Sequence, residues 1–350
     1  MRVGMLTGGG DCPGLNAVIR AVVRRTLEKY GGSVIGFRYG WAGMISGNAI
    51  ELGLDEVSGI LPRGGTILGT SRTNPYKTDG GVDGIVRRFK KESLDALVAV
   101  GGEDTLGVAS RLHEEESLPI IGVPKTIDND IVGTDFTFGF DTAVSIAAEA
   151  IDRLHTTAES HNRVVVVEVM GRHTGWIAVK AGIAGGADLI IIPEISISLA
   201  EICEVIKKRH ERGKNFSIVV VAEGAKYPED APNQVEGGLV TVEQTTDSFG
   251  HVRLGGIGNK LARAIELETG YETRVSVLGY VQRGGTPTAF DRVLGTRFGV
   301  LAADLAHQGH FGKMTSLSGD KVIPVALSHA SEGVKRVDSE LFEVARTFFG

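Results

Sequence analysis

Cysteine is nearly missing from this 350-residue chain, which holds only Cys12 and Cys203. Two thiols build neither a disulfide scaffold nor a cysteine zinc site, and the usage is that of a reducing compartment. An excess of positive charge is missing too: 37 Lys and Arg stand against 43 Asp and Glu, a net charge of −6. That excludes a broad nucleic-acid-binding face, although a local basic pocket for small anions remains open. No apolar run approaches the roughly 18 residues of a membrane span. The opening MRVGMLTGGG enters a strand–turn pattern at once, leaving no room for a signal peptide. The expectation is a cytoplasmic protein without membrane or nucleic-acid partners.

Glycine is abundant, 49 of 350. It falls in pairs and triples after apolar runs, at 8–10, 64–65, 101–102, 185–186 and 284–285. Such placement signals tight turns and close backbone approach to a ligand. With 42% hydrophobic and 23% charged residues, the chain has the balance of a globular protein. Its length suits two domains.

Short apolar runs predict strands at 3–6, 33–37, 96–100, 120–123, 164–169, 189–192, 217–222 and 274–279. Several are apolar throughout, as in parallel strands buried on both faces. Between them run helical patterns. One opens at Pro13 and aligns Val18, Ile19, Val22, Val23 and Leu27; another covers 141–155. The alternation predicts doubly wound α/β layers with ligands at the carboxyl ends of the strands. Residues 227–255 are polar and rich in turn formers, and read as a surface excursion of the second domain. The tetrapeptide Arg-Gly-Gly-Thr occurs at 63–66 and again at 283–286, which leaves duplication and coincidence equally open.

Three turns carry chemistry. TGGGDCPGLN (7–16) offers the N–H groups of Gly8, Gly9 and Gly10 ahead of a helix, an anion site needing no cationic side chain. It is not a Walker A loop, since no G-x-x-x-x-G-K-[ST] occurs, and it does not match G-x-G-x-x-G. GGEDT (101–105) places Glu103 and Asp104 where phosphate would be expected. An acid beside phosphate holds Mg²⁺, or the acids and Thr105 cap a helix. PKTIDND (124–130) supplies Asp128 and Asp130 for proton acceptance and Lys125 for the charge of a moving phosphoryl group. Arg72, Arg163, Arg172, Arg274 and Arg283 lie beside glycines and predicted strand ends, where guanidinium groups clamp phosphate. Met170 fits either a core or a ligand contact. His113 reads as part of a solvated helix face, and neither cysteine has a histidine partner for nucleophilic work.

These stretches, with RGGTILGTSR, GFDTA, VVEVMGRHTGW, VVAEG, ETRVSVLG and QRGGTP, resemble the phosphofructokinase family over nearly the full length. The resemblance implies two similar Rossmann-like three-layer αβα domains with the active site in the cleft between them. A donor-binding domain would comprise 1–138 and about 256–305, and a fructose 6-phosphate-binding domain about 139–255 and 306–350. It implies Mg²⁺-dependent transfer to the 1-hydroxyl of fructose 6-phosphate. Asp128 would be the base and Asp130 its supporting carboxylate, with Thr126 beside the moving phosphoryl group. Glu103 would serve the metal, where members usually carry Asp. Gly9, Gly10, Arg72, Asp104 and Lys125 would surround the donor. Met170, Gly171, Arg172, Glu223 and Arg283 would hold the sugar phosphate. Tyr280 replaces a common histidine there and brings no charge. Arg163 and Arg274 would reach a neighbouring subunit's site, implying a homo-oligomer, dimer or tetramer.

The donor turns on two positions. ATP-using bacterial members carry Gly where this chain has Asp104, and commonly Gly where it has Lys125; pyrophosphate-using members are similar to it at both. Asp104 would meet the α-phosphate of ATP, while pyrophosphate ends short of it. The resemblance therefore implies pyrophosphate as donor, with ATP as the alternative. Because some ATP users also carry the lysine, Asp104 has the greater weight. An NAD or lipid kinase also uses a G-G-D-G-T-like turn, but lacks PKTIDND and MGRHTG. Arg20 and Arg24 match effector-pocket arginines of allosteric members whereas Leu54 and His155 replace two others, so little response to ADP or phosphoenolpyruvate is expected.

Overall fold

The structure is a computed structural model that describes residues 1–235, 237–246, 248–250 and 252–350, with backbone alone at 242–246 and 253. In chain order the strands begin with β1 (Arg2–Thr7), β2 (Ser33–Phe37), β3 (Ala49–Glu51), β4 (Ala96–Gly101) and β5 (Ile120–Pro124). There follow β6 (Val164–Val169), β7 (Leu189–Ile191), β8 (Ser217–Ala222), β9 (Thr241–Thr246) and β10 (Val252–Leu254). The last are β11 (Thr273–Val277), β12 (Lys313–Ser318) and β13 (Lys321–Ala326). The helices are α1 (Leu15–Arg24), α2 (Trp41–Ser46), α3 (Gly81–Lys91), α4 (Glu103–Glu116) and α5 (Phe140–His161). The remainder are α6 (Trp176–Ala184), α7 (Leu199–Glu211), α8 (Ile257–Thr269), α9 (Ala289–His307) and α10 (Ser339–Arg346).

The chain divides into two units: Met1–Thr142 with Asp247–His251 and Arg283–Gly333, and Ala143–Thr246 with Val252–Gln282 and Val334–Gly350. This partition differs from the one read in the sequence over 139–142, 247–251, 256–282 and 306–333. Residues 256–282 join unit 2 because β11 pairs in parallel with β6. Residues 313–326 join unit 1 because β12 pairs with β5 and the β12–β13 hairpin extends that sheet.

In unit 1 the sheet order is β13-β12-β5-β4-β1-β2-β3. The contiguous strands from β12 to β2 are parallel, and the edges β3 and β13 are antiparallel. From β1 the chain builds outward to β2 and β3, then returns to β4 on the other side. The switch point therefore lies between β1 and β4, where open α/β sheets bind ligands. Phe37, Trp41 and Met44 on one side, and Leu106 and Leu112 of α4, fill its core. Each such side chain contributes about 1.5–3 kcal/mol when fully buried. Helix α9 lies on α1 at close range: a Cβ on Gly299 would stand 2.7 Å from both Val18 O and the Ala21 Cβ. The helix expected from Pro13 begins instead at Leu15, after Gly14 with φ of 109°. Leu27 follows α1 in a π-helical turn at Arg25–Lys29.

Unit 2 is built on the parallel sheet β11-β6-β8-β7. Its valine-rich β6 and β8 are buried along their whole length. The excursion expected at 227–255 is only partly superficial. Tyr227, Ala231 and Val240 are buried in the core of this unit, while residues 236, 247 and 251 of that stretch lie outside the described residues. His113 also departs from a solvated face: half-buried, its Nδ1 stands 2.8 Å from Leu118 O. Among the described residues, no helix is long and apolar enough to cross a membrane.

Candidate active site

The carboxyl ends of β1, β4 and β5 bring the three turns of unit 1 together. Leaving β1, Gly8 donates to Val100 O at 2.9 Å, and Gly9 (φ 78°) donates to Ser71 O at 3.1 Å. Leaving β4, Gly101 accepts from Lys125 N at 2.9 Å, tying the second turn to the third. The glycines are required sterically. A Cβ on Gly8 would lie 2.6 Å from Thr105 Oγ1, and one on Gly101 would lie 2.3 Å from the Thr105 Cβ. Thr105 is not the helix cap. Gly102 occupies that position, and buried Thr105 packs in the first turn of α4 under both glycine turns.

Glu103 and Asp104 open α4, Glu103 exposed and Asp104 half-buried. Carboxylates at a helix N-terminus are favoured by the dipole. Lys125 is 3% exposed, and its Nζ donates to Gly10 O. Burial pushes this ammonium below the ordinary lysine range; the Arg283 guanidinium adds to that, while Asp11 and Asp128 oppose it. Arg283 itself lies against the donor-type turn: its Nη1 reaches Asp11 O at 3.3 Å and would be 2.7 Å from a Cβ on Gly10. Cys12, buried beside them, has its thiol pushed up to about 12 by burial and is therefore inert as a nucleophile.

Residues 126–138 form a loop fixed by Asn129. That residue adopts the left-handed region (φ 53°) and its Oδ1 accepts from Thr137 N at 3.1 Å. Thr137 Oγ1 in turn donates to Thr126 O at 2.8 Å, and Asp128 N donates to Thr126 Oγ1 at 3.0 Å. Burial raises the Asp130 carboxyl above the usual range, and the charges of Asp128 and then Glu103 raise it further. Carboxylates of the second and third turns thus lie within electrostatic reach of one another, and their mutual repulsion invites a cation. Among the described residues no group of three or more His, Cys, Asp or Glu could hold a metal alone. The oxygen-only set fits Mg²⁺, which takes one or two carboxylates and completes its shell with phosphate oxygens and water.

Arg72 is exposed, and its carbonyl accepts from Ser248 Oγ. In unit 2, the end of β6 carries Met170, Gly171 and Arg172, and the end of β8 carries Glu223. Glu223 N donates to Val169 O at 2.8 Å and Gly224 N to Gly171 O at 3.0 Å, so the two ends are joined. Gly171 has φ of 139° and Arg172 Nη1 donates to Val252 O at 2.8 Å. Met170 is buried, so most of it is core. Arg163 and Arg274 do not join this group: they share Glu272, Arg163 at 2.8 Å. Arg163 precedes β6 whereas Arg172 follows it, so the two arginines stand at opposite ends of one strand. Tyr280 is 67% exposed beyond β11. The positions not foreseen in the sequence are Asn129, Asp11 and the dual packing of Thr105. An Asn between two aspartates at a strand end, where left-handed backbone is common, was the one local signal.

A doubly wound sheet whose switch point gathers glycine turns, a buried lysine and carboxylates that feel one another's charge belongs to a phosphate-handling α/β protein. Residues 2–306 match the phosphofructokinase family, and the chain belongs to it. It is 55% identical over 350 residues to the pyrophosphate–fructose 6-phosphate 1-phosphotransferase of Streptomyces coelicolor, covering 100% of both chains. With the protein of that name from Amycolatopsis mediterranei it shares 57% over 351 residues, again 100% of each. An ATP-dependent 6-phosphofructokinase of Mycobacterium tuberculosis is 51% identical over 354 residues, 100% of each. Among solved structures, Pichia pastoris phosphofructokinase in the T-state is similar with a TM-score of 0.82 and 31% identity. The alignment covers 99% of this chain and 36% of that one.

Proposed function

We propose that the chain catalyses reversible phosphoryl transfer from pyrophosphate to the 1-hydroxyl of D-fructose 6-phosphate, giving fructose 1,6-bisphosphate and phosphate, in the cytoplasm. The observation that carries the donor assignment is the acidic pair at the start of α4, beside a lysine buried under the Gly10 turn. The Gly10 N–H, with Lys125 and Arg72, binds pyrophosphate, and Gly9, whose own N–H is held by Ser71 O, shapes the turn around it. Asp104 confronts any donor that extends further. Glu103 would hold Mg²⁺, which when bound would supply charge neutralisation for the transferred group.

Asp128 accepts the proton of the attacking hydroxyl, and Asp130 supports it. The raised Asp130 carboxyl suits a partner that shares or returns a proton to Asp128. Thr126 and Lys125 steady the phosphoryl group as it moves, and Arg172 adds positive charge. Met170, Gly171, Arg172, Glu223, Tyr280 and Arg283 hold the sugar phosphate. Arg163 and Arg274 serve the site of a neighbouring copy in a homo-oligomer. Their place at the far end of the β6 edge from Arg172 supports that reading. With Leu54 and His155 in place of arginines, the enzyme is not controlled by ADP or phosphoenolpyruvate. His155 Nε2 instead contacts Gly185 O at 2.7 Å.

The test is turnover of purified protein on fructose 6-phosphate and Mg²⁺ with either donor. Pyrophosphate is expected to be preferred; preference for ATP overturns the assignment. The ATP reading is the alternative because relatives of similar identity carry that name.

A further inference from the structure

Helix α9 carries a carboxylate that the site above does not use. Asp291 is fully buried, and among the described residues no Lys, Arg or His pairs with it. Its Oδ2 accepts from Thr142 N at 2.8 Å and from Thr142 Oγ1 at 2.5 Å, in the first turn of α5. The attachment is reciprocal. Thr142 Oγ1 accepts from Thr288 N at 3.0 Å, and Thr288 Oγ1, the cap of α9, donates to Asp141 Oδ2 at 2.6 Å. Two helix N-termini from distant parts of the sequence are thus tied by one knot of two threonines and two aspartates.

The knot adjoins the catalytic machinery on both sides. Helix α5 begins where the 126–138 loop ends, and Gly139 faces the Asp291 carboxylate. Cys12 Sγ contacts Phe138 O at 3.6 Å, and a Cβ on Gly14 would lie 2.8 Å from the Phe138 ring and 3.4 Å from Asp291 O. The glycine turn after β1, the end of the Asp128 loop and the first turn of α9 therefore pack as one block. Keeping an ionised carboxylate there opposes folding. Burial pushes the Asp291 carboxyl up to about 6, with Asp141 adding to the shift, so the folded state favours the neutral form and loses stability as pH rises through that value. A neutral amide would fold as well or better at high pH.

We propose that Asp291 is a positioning residue: through charge-assisted bonds to Thr142 it fixes the first turn of α5, and thereby the loop that aims Asp128 at its substrate. The inference rests on the reading of Asp128 as base. It is tested with whichever donor the unaltered protein uses, so that loss of the pyrophosphate assignment does not decide it. Asp291→Asn is expected to lower kcat about 10- to 100-fold through misplacement of the base, leaving KM for both substrates within about threefold. Its melting temperature at pH 8 is expected to equal or exceed that of the parent. Thr142→Val, which loses the hydroxyl and keeps the N–H, is expected to lower kcat at least about tenfold, and Thr142→Ser to restore it. Unchanged kcat in Asp291→Asn, or a loss matched by a lower melting temperature, overturns the proposal. If Asp291→Asn does not fold, equal kcat in Thr142→Val and Thr142→Ser overturns it.

Discussion

Removing the charge at position 104 tests the donor assignment most directly. Asp104 is half-buried in the first turn of α4. A unit charge placed about 4 Å from it repels by about 4 kcal/mol at an effective dielectric near 20. Solvent exposure and a nearby metal screen that interaction, and halving it leaves about 2 kcal/mol. The selectivity between donors should then shift by about 30-fold, with about 1,000-fold as the unscreened limit. Asp104→Gly also weakens the helix start, by about 0.3–1 kcal/mol of dipole interaction and a similar propensity loss. Asp104→Asn keeps the volume and loses only the charge, so it separates repulsion from crowding. The assay is kcat/KM for ATP and for pyrophosphate at saturating fructose 6-phosphate and fixed Mg²⁺. The ratio of ATP to pyrophosphate use should rise in both variants, more in the glycine one. Ratios within about twofold of the parent in both would refute the electrostatic reasoning, because even the screened repulsion exceeds that.

Gly8→Ala should destabilise by about 2 kcal/mol or more through the Thr105 Oγ1 clash at 2.6 Å, and the same change in a Thr105→Ala background should cost less than half as much, as read by urea unfolding. Asn129→Ala loses both the Thr137 bond and a side chain tolerant of φ 53°, so kcat should fall with a stability cost of about 1–3 kcal/mol; Asn129→Gly should recover only the conformational part. Because the folded Asp130 carboxyl is raised, its ionisation opposes folding as pH rises; in EDTA, Asp130→Asn should gain stability relative to the parent at pH 8 and not at pH 4, as checked by denaturant melts. Adding ADP or phosphoenolpyruvate should leave the rate curve for fructose 6-phosphate unchanged in steady-state kinetics.

Local signals were readable in the sequence, and distant returns of the chain were not. Strands β2, β6 and β8 were bounded correctly because each is a buried, β-branched run. Strand β13 gives no such signal: its residues are exposed or half-buried, and it contains Pro324, which an antiparallel edge tolerates. With β12 and β13 unseen, nothing in composition could assign 306–333 to unit 1. The turns at 8–10, 101–105 and 124–130 were legible because each follows its own strand. Arg283 was not: its place under Gly10 depends on a segment that returns to unit 1 after crossing unit 2. The Asp291 knot was equally hidden, since Thr142 and Asp291 meet only once α9 has packed.

The two Arg-Gly-Gly-Thr stretches meet in unit 1, where a Cβ on Gly64 would stand only 2.1 Å from Gly285 O. That contact joins an early part of the chain to a late one, so it bears on synthesis. While a ribosome has delivered only the first unit's leading segment, α1 has no α9 to cover it and β5 has no β12 beside it. The half-made sheet then exposes an apolar helix face and an open strand edge, both prone to association with other chains. Unit 1 can close only after unit 2 has largely emerged, and long sequence separation makes that closure slow. Newly made chains should accordingly depend more on chaperones than their final packing suggests.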